Sequence, residues 1–416
     1  MKLLIVSHVI HFEHQGKLHA YGPYAREIDL WADLFTEVRI ACPLREEQPP
    51  GDCVAFSRPN ISVAPLAEAG GHTAAAKLKL FLTTPSIMWE LARAMLWADA
   101  IHVRCPGNIG LLGALMAPLF SRNLVAKYAG SWQQAPGEPF SIRLQRAILR
   151  KWFKGPVTVY GEWPGEPKHI ISFFTSLTTE EQMNRARQAA ANRRPSEELR
   201  VLYTGRLSKA KNIDSLLEAT ARACAQGAPV RCTIVGEGPE RAHLEELARK
   251  LGIDGQVCFT GGVEFEQVIR QLEQSDALVL TSESEGWPKS AAEAMAFGLV
   301  CIGSDRGFFK TMLAGRGVAI RPRDVDALAA VFLDLARNPE RYRHMRESAA
   351  QWAQQFSLEG LGAAIRALLE RHWSVKLLQI GSSAHPNTHS ITHPITHPSP
   401  PPIAVMPDTS PTVGRE

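Results

Sequence analysis

The most informative stretch of the chain reads Thr281-Ser-Glu-Ser-Glu-Gly-Trp-Pro-Lys-Ser-Ala-Ala-Glu-Ala-Met-Ala-Phe-Gly298. It begins at the end of the apolar run Ala277–Thr281, which predicts a buried strand, and it continues into a helical pattern. Pro288 suits the first turn of that helix, where its missing N–H leaves no donor unpaired. The free N–H groups of Lys289 and Ser290, together with the helix dipole, therefore predict an anion-binding site.

Two glutamates flank the start of this helix. Glu285 lies before it, and Glu293 lies in its second turn, eight residues further on. At about 1.5 Å per helical residue, their carboxylates are expected on the order of 10 Å apart. This span suits a ligand with hydroxyls at both ends and phosphates between them. Two glutamates at this spacing often occur by chance, as a solvated residue and a helix-start residue, but the strand–loop–helix context favours a ligand site.

A second charged loop reads Gly205-Arg-Leu-Ser-Lys-Ala-Lys-Asn212 and follows the apolar run Val201–Thr204. Carboxyl ends of parallel strands meet at one edge of a sheet, so this loop is expected beside residues 281–298. Arg206, through its fork of donors, and Lys211, as a point charge, are placed there to meet a diphosphate. Taken alone, the loop would be interpreted as a solvated basic turn.

A third loop, Val235-Gly-Glu-Gly-Pro239, is a glycine-rich turn between a strand and a helix. It lacks both the GxGxxG and the GxxxxGK spacing, so it is incomplete as a phosphate loop. The safer interpretation is that its glycines allow close packing of the backbone near the ligand cleft.

Short apolar runs alternate with amphipathic helical patterns on both sides of residues 176–199, which predicts an α/β protein with two parallel sheets. Near the N-terminus, the run Leu3–Val6 precedes a polar loop rich in His and Gly and then a helical pattern over Tyr24–Phe35. The predicted units are an N-terminal domain at 1–175, a linker at 176–199, a C-terminal domain at 200–356, a helix at 357–373 and a disordered tail at 374–416. A ligand is expected in the cleft between the domains.

The composition is that of an ordinary globular protein, with 45% hydrophobic and 21% charged residues over a length of 416. A net charge of +4 does not point to a nucleic-acid partner. The seven cysteines are scattered, lack the spacing of a zinc site and are expected to be reduced core thiols. The N-terminal apolar run is too short for a signal peptide, and charged residues break the stretch Leu78–Val103, so we expect a cytoplasmic protein.

Together, these motifs resemble the retaining family 4 glycosyltransferases of the GT-B fold. The matching text comprises Tyr203-Thr-Gly-Arg206 with Lys211, Val235-Gly-Glu-Gly-Pro239, Val257-Cys-Phe-Thr-Gly261, Ser275-Asp-Ala-Leu-Val-Leu280 and Glu285-Gly-Trp-Pro288 with Glu293-Ala-Met-Ala-Phe-Gly298. The resemblance covers roughly Arg200–Trp373. It implies two Rossmann-like domains that face a cleft, a UDP- or GDP-linked sugar as co-substrate, no cofactor, and a last helix that crosses back onto the N-terminal domain.

The resemblance also assigns roles in the C-terminal half. Arg206 and Lys211 would neutralise the diphosphate, Glu285 would orient the transferred sugar with help from N–H groups after Gly286, and Glu293 would bind the ribose hydroxyls. The base would meet backbone atoms at the end of the strand Val257–Gly261. The residues assigned to donor binding in this way are Arg206, Lys211, Gly262, Val263, Glu285, Gly286, Trp287, Lys289, Ser290 and Glu293, and those assigned to catalysis are Glu285, Arg206 and Lys211.

The N-terminal half departs from the family pattern. The paired-glycine loop of the family is reduced to one glycine, and the place of a family histidine reads Lys127-Tyr-Ala-Gly-Ser-Trp132. Further on, Asp305-Arg-Gly-Phe-Phe309 replaces a Gly-Gly pair and a glutamate. The candidate donor or acceptor residues of this half are Tyr21, Gly22, Gly130 and Ser131.

The segment 142–154 has the pattern of a basic amphipathic helix, which is able to lie on an anionic membrane surface. Its basic residues are Arg143, Arg146, Arg150, Lys151 and Lys154. A helix that packs on the sheet and leaves this basic face in water is an equally good interpretation. The first alternative predicts a peripheral contact with the inner face of the cell membrane.

We therefore predict a retaining glycosyltransferase that moves a sugar from a nucleotide donor to a carbohydrate or lipid-linked acceptor, in cell-surface polysaccharide or glycoconjugate synthesis. Breaking the anomeric C–O bond leaves negative charge on the diphosphate, and Arg206, Lys211 and the helix terminus are able to stabilise that charge without a metal ion. The alternatives are a nucleotide-sugar-binding GT-B protein with weak catalysis and a GT-B nucleotide-sugar epimerase.

Overall fold

The computed structural model describes residues 1–68, 74–134, 137–194 and 196–378, so the predicted tail lies outside the described residues from 379 onward. The strands are β1 (Lys2–Val6), β2 (His11–His14), β3 (Lys17–Tyr21), β4 (Glu37–Arg45), β5 (Cys53–Ala55), β6 (Ile61–Leu66), β7 (Ala100–Cys105), β8 (Asn123–Tyr128), β9 (Val157–Val159), β10 (Ile170–Ser172), β11 (Leu199–Thr204), β12 (Val230–Val235), β13 (Val257–Gly261), β14 (Ala277–Leu280), β15 (Val300–Ser304) and β16 (Gly317–Ile320). The helices are α1 (Gly22–Ala32), α2 (Ala74–Trp97), α3 (Asn108–Met116), α4 (Phe140–Lys151), α5 (Glu180–Asn192), α6 (Ile213–Ala225), α7 (Arg241–Lys250), α8 (Phe265–Gln274), α9 (Lys289–Ala296), α10 (Gly307–Leu313), α11 (Val325–Arg337), α12 (Arg343–Ala353) and α13 (Leu358–Trp373).

The first sheet has a parallel centre in which β10, β9, β8, β7, β1 and β4 lie side by side in that order. Strand β6 extends it by pairing in parallel with β4. The central strands are buried along almost their whole length because their residues are mostly apolar on both faces. Their carboxyl ends leave the sheet at one common edge, where loops begin at Ser7, Pro106 and Ala129.

The segment that follows β1 differs from the prediction of a polar loop. It forms an antiparallel hairpin of β2 and β3, with Phe12 opposite His19 and a turn at Gln15–Gly16. The hairpin forms because His11 and Phe12 are buried while the residues of the turn stay in water, a pattern that the polar composition conceals. The prediction of a loop here is therefore wrong, and the hairpin brings Tyr21 to the start of α1.

The second sheet is fully parallel, with the strand order β13-β12-β11-β14-β15-β16. Its order reverses between β11 and β14, which is the place where doubly wound sheets bind ligands beyond the carboxyl ends of their strands. The two charged loops predicted from the sequence leave the sheet at this point, because they follow β11 and β14.

Helices cover both faces of the first sheet. One face carries α2, α3 and α4, whose inner residues share a core with β1, β7 and β8. The other face carries α1 and the last helix, α13, which contact each other. The indole N–H of Trp373 in α13 donates a hydrogen bond to the carbonyl of Leu124 at 3.1 Å, so the last helix lies against the N-terminal sheet. Among the described residues, no helix is both long and apolar enough to cross a membrane.

The basic face predicted over 142–154 is smaller in the structure than in the sequence. Arg146 is buried and bonds Glu138 at 2.5 Å, and Arg150 bonds Glu166 at 2.6 Å. Both arginines are thereby taken up in holding α4 to neighbouring loops. The exposed basic residues that remain in this segment are Arg143, Lys151 and Lys154.

Candidate active site

The two charged loops of the C-terminal domain meet through an ion pair. The ammonium nitrogen of Lys211 lies 2.6 Å from Oε1 of Glu285. The two side chains are 27% and 15% exposed, so solvent screens the pair only in part. The structure therefore places the predicted phosphate-binding cation beside the carboxylate predicted to orient the sugar.

Asn212 fixes the geometry of this pair. Its side-chain amide donates to the carbonyl of Thr281 at 2.9 Å, and the Thr281 hydroxyl donates to the carbonyl of Asn212 at 3.1 Å. Arg323 donates to the Asn212 amide oxygen at 3.0 Å. Because Asn212 directly follows Lys211, these bonds hold the cation in place before a ligand binds, as a preorganised site requires.

Arg206 lies in the same loop and is exposed. Its backbone carbonyl accepts a hydrogen bond from the Tyr203 hydroxyl at 3.1 Å, which anchors the turn to the end of β11. Within the described ranges, no carboxylate lies within 4.0 Å of its guanidinium. The side chain is thus available to an anion that enters from the cleft.

Glu293 is 8% exposed in the second turn of α9. Burial raises the pKa of its carboxyl to about 7, and Lys289 and Arg26 lower it only in part. Its Oε1 has no hydrogen-bond partner in the described part of the chain. A buried carboxyl with an unsatisfied oxygen is uncommon in a purely structural setting and fits a residue that accepts hydrogen bonds from ligand hydroxyls.

The N-terminal domain contributes a buried charge cluster to the same region. Glu27 of α1 accepts hydrogen bonds from Arg104 at 2.8 Å and from Lys127 at 2.7 Å. Lys289, at the start of α9, is influenced electrostatically by Glu27 and Arg104, and burial lowers its pKa. The cluster holds two cations and one carboxylate, so it adds positive charge next to the N-terminal end of α9.

This cluster was not predicted, although the sequence contains a signal for it. Arg104 and Lys127 are charged residues inside otherwise apolar strands, and they lie opposite each other in the register of β7 and β8. Two cations at neighbouring buried positions require a shared carboxylate. Glu27 sits on an apolar helix face and supplies it.

Two further residues of the N-terminal domain reach the donor-binding motifs. Tyr21 is 47% exposed, and the partial burial of its hydroxyl raises its pKa. The charges of Asp52, Glu293 and Glu285 raise this pKa further, and that of Arg206 lowers it. The guanidinium of Arg26, on α1, lies 5.0 Å from the centre of the Phe265 ring on α8. Tyr21 was predicted from the sequence, whereas Arg26 was not, because nothing in its local sequence marks it.

The backbone of the two domains approaches closely at Gly286. A Cβ atom built on this residue would lie 2.6 Å from the carbonyl oxygen of Ala129 and 3.3 Å from the Tyr160 ring. The loop that carries Gly130 and Ser131 therefore packs directly on the Glu285–Gly286 turn. Gly22, also predicted as a candidate, is buried instead against Asp52 and Val54 of its own domain.

Trp287 packs into an aromatic cluster between the domains and is 7% exposed. Its ring centre lies 5.8 Å from Tyr160, 5.4 Å from Phe308 and 5.4 Å from Phe356. Phe308 belongs to the segment that departs from the family pattern, and its ring stacks on Trp287. The side chain of Trp287 thus joins the domains, which leaves its backbone for contact with a ligand.

The remaining predicted donor residues lie at the same edge of the second sheet. Gly262 and Val263 connect β13 to α8 and border the turn at Gly236–Pro239. A Cβ on Gly236 would overlap the carbonyl of Gly205, which confirms the prediction that this turn allows close packing. Ser290 lies in the first turn of α9. Asp324 and Asp326 have the spacing Asp-x-Asp. The carboxylate of Asp324 caps the start of α11, and that of Asp326 forms an ion pair with Arg222.

The architecture agrees with those of solved glycosyltransferase structures. Sucrose-phosphate synthase from Thermosynechococcus elongatus is similar over 89% of this chain and 98% of its own, with a TM-score of 0.66 and 20% identity. Anabaena HepE, solved with UDP and glucose, is similar over 89% of this chain and 99% of its own, with a TM-score of 0.62 and 17% identity. The chain has the GT-B fold.

A match to a family sequence model adds to the evidence from the fold. Residues 184–352 match the sequence model described as glycosyl transferases group 1. This stretch contains both charged loops and the α9 motif. This match agrees with the resemblance to glycosyltransferases that the motifs indicate.

Curated relatives match part of the chain. Alpha-D-kanosaminyltransferase of Streptomyces kanamyceticus is 28% identical over 48% of this chain and 53% of its own length. The GDP-mannose-dependent alpha-(1-6)-phosphatidylinositol dimannoside mannosyltransferase of Mycobacterium tuberculosis is 29% identical over 41% of this chain and 43% of its own length. The chain therefore matches about half the length of these relatives.

Proposed function

We propose that this protein is a retaining glycosyltransferase that moves a sugar from a UDP- or GDP-linked donor to a carbohydrate or lipid-linked acceptor. The observation that carries the proposal is the Lys211–Glu285 ion pair, held at the sheet edge where Arg206 and the start of α9 also lie. The relatives also support the proposal, because two of them are sugar transferases and one of these depends on GDP-mannose.

The diphosphate would lie between Arg206, Lys211 and the free N–H groups at the start of α9. Negative charge grows on this group as the anomeric C–O bond breaks, and fixed cations in a partly buried site stabilise it strongly. The donor would displace Glu285 from Lys211 in part, so that the carboxylate turns toward the sugar while the ammonium turns toward the phosphate. No metal ion is needed for this charge balance.

Retention follows from attack on the same face of the sugar that the diphosphate leaves. The acceptor oxygen forms the new bond to the anomeric carbon, the bond to the diphosphate breaks, and the acceptor proton passes to a leaving phosphate oxygen. A second catalytic carboxylate of the glycosidase kind is not required. Glu293 would meanwhile hold the ribose hydroxyls, and backbone atoms of Gly262 and Val263 would meet the base.

The acceptor would enter from the N-terminal domain, whose Tyr21, Gly130 and Ser131 border the site. We place the protein in the cytoplasm, in contact with the inner face of the membrane through residues 142–154, and in the synthesis of cell-surface polysaccharide or a glycoconjugate. The three exposed basic residues of that segment support this contact.

Donor turnover tests the proposal. Purified full-length chain is incubated with a panel of UDP- and GDP-sugars, nucleotide release is measured, and the anomeric configuration of any glycoside product is read by nuclear magnetic resonance. We expect release from one donor and loss of that activity in Glu285→Ala, with Glu347→Ala, an exposed glutamate on α12, as the matched control. Nucleotide binding without any turnover would instead indicate a nucleotide-sugar-binding protein, and an inverted product would overturn retention.

A further inference from the structure

Large apolar side chains are exposed on one part of the molecule. Of the thirteen that are exposed among the described residues, ten lie on α2, α3, α4 or the turns directly after them. They are Phe81, Leu82, Met88, Trp89, Leu96, Leu115, Leu119, Phe140, Leu144 and Trp152. Single exposed apolar residues are ordinary on protein surfaces, but such a concentration on one part of a domain marks an interaction site.

These residues share one surface because their helices form one layer. Helices α2, α3 and α4 cover the same face of the first sheet, with α3 in contact with both of the others. The indole N–H of Trp152 donates to the carbonyl of Leu115 at 2.8 Å, which ties the ends of α4 and α3 together. The outward sides of the three helices are therefore one continuous outer face, which we call the helix-layer face.

Helix α2 shows the pattern most clearly. Leu82, Trp89 and Leu96 are 67%, 66% and 77% exposed and recur every seven residues, so they line one side of the helix. Ile87 and Leu91 are at most 1% exposed and anchor its opposite side in the core. The outward side also carries the ion pair of Arg93 with Glu90 at 3.5 Å, which adds no net charge. Its exposed apolar side chains are not covered by packing within the described residues.

The charge on the helix-layer face is positive. Arg143 and Lys151 are exposed on α4, and Lys154 is exposed just after it. None of the three lies within 4.0 Å of a carboxylate in the described parts of the chain, in contrast to Arg146 and Arg150. Helix α4 itself contains no Asp or Glu. Exposed aromatic residues beside unpaired cations are the combination that binds the interface of an anionic bilayer.

We propose that the helix-layer face docks on an anionic lipid surface through the apolar side of α2 and the exposed part of α4. A second copy of this chain is a poorer partner, because a two-fold contact through the same face would bring Arg143 and Lys151 toward their own counterparts. A lipid surface satisfies both features at once, since its headgroups pair with the cations and its acyl boundary takes up Trp89 and Leu82.

The orientation of the helices connects this face to the cleft. In a parallel sheet, each connecting helix starts near the carboxyl edge of the strands, which is the edge that carries the candidate site. Phe140 and Leu144, at the start of α4, therefore lie toward the cleft, and Trp152 lies at the far end. The inference deepens the proposed function, because a lipid-linked acceptor would reach the site from the surface that holds the protein.

Vesicle flotation of the full chain tests the inference without any sugar donor. The probes are vesicles of phosphatidylcholine alone and vesicles that contain about one third phosphatidylglycerol. We expect binding to the second kind only, weakened by salt, and on the order of tenfold lower partitioning for Leu82→Glu/Trp89→Glu and for Arg143→Glu/Lys151→Glu. The matched control is Arg249→Glu/Lys250→Glu on α7, which reverses the same number of charges at sites 62% and 70% exposed.

Each outcome decides between alternatives. We call Leu82→Glu/Trp89→Glu and Arg143→Glu/Lys151→Glu the patch variants. The inference would be overturned if both patch variants bound vesicles fully, if the wild type did not bind them, or if the control lost as much binding as the patch variants. A concentration-dependent dimer that the patch variants abolish, without vesicle binding, would assign the face to a second copy instead. Thermal unfolding checks that the variants fold, which is expected because the changed side chains are exposed. If the wild type binds vesicles but releases nucleotide from no donor, the inference stands and the proposed function fails.

Discussion

The two domains encode their parts of the site in different ways. In the C-terminal domain, Lys211, Glu285 and Glu293 lie in contiguous motifs at strand ends, and each is near the partners that the motif implies. In the N-terminal domain, Arg26, Arg104 and Lys127 come from separate elements and meet the site only in the folded chain. Site residues that lie in loops after neighbouring strands can be predicted from the sequence. Site residues that come from distant elements cannot, because they meet only in the folded chain.

The largest effect is expected from a substitution in the C-terminal part of the site. Lys211→Ala removes the cation that neutralises the diphosphate and leaves Glu285 without its partner, so kcat/KM for donor turnover should fall by about 10²- to 10³-fold. Lys209→Ala is the matched control, because Lys209 is an exposed lysine of the same loop that is not assigned to the donor. Similar losses in both variants would show that general positive charge, rather than the placed ammonium, supports turnover.

A second prediction uses the pH dependence of stability. The pKa of Glu293 is about 7 in the folded chain against an ordinary value of 4.5, so the folded state holds its proton more tightly than the unfolded state does. Stability should therefore fall as pH rises from about 4.5 to about 7, and Glu293→Gln should recover on the order of 1–3 kcal/mol at pH 8 and much less at pH 5. Urea unfolding at the two pH values measures this difference.

The control for this measurement is Glu347→Gln, an exposed carboxylate on α12. Its effect on the free energy of unfolding should be small and nearly the same at both pH values. If Glu293→Gln shows no larger gain at pH 8 than at pH 5, the carboxyl of Glu293 is ionised without penalty and is not buried as described.

The smallest effect is expected from a substitution in the N-terminal domain. Arg26 lies 5.0 Å from the centre of the Phe265 ring and acts on Glu293 electrostatically, so Arg26→Ala should weaken nucleotide binding by about fivefold, since one positive charge near the ligand is lost. Arg39→Ala is a matched control, because the guanidinium of Arg39 also stacks on an aromatic ring, that of Trp97. Equal affinities of the two variants would limit the nucleotide site to the C-terminal domain.

The fold was predictable because its strands are short apolar runs with a helix pattern between them. The predicted runs at Leu3–Val6, Val201–Thr204 and Ala277–Thr281 are strands in the structure, to within two residues at each end. The hairpin of β2 and β3 was missed because burial of His11 depends on tertiary packing against Tyr24 and Phe56.

The residues of the candidate site that lie in contiguous sequence motifs were predictable, and the others were not. The meeting of Lys211 with Glu285 follows from the adjacency of β11 and β14. The basic segment at 142–154 was only partly predictable, because the carboxylates of Glu138 and Glu166 that pair with Arg146 and Arg150 lie outside the helix. The exposure of Leu82 and Trp89 on α2 was not predictable, because apolar residues at a helical spacing also occur on a buried helix face.

Calorimetric titration with UDP, GDP and ADP, for the wild type and for Glu293→Ala, tests whether the cleft binds a nucleotide through Glu293. We predict that one nucleotide binds the wild type and that Glu293→Ala weakens that binding by about tenfold, since a buried carboxylate that would accept hydrogen bonds from the ribose hydroxyls is removed. Binding of none of the three nucleotides, or equal binding by the variant, would contradict the assignment of this cleft as a nucleotide-sugar site.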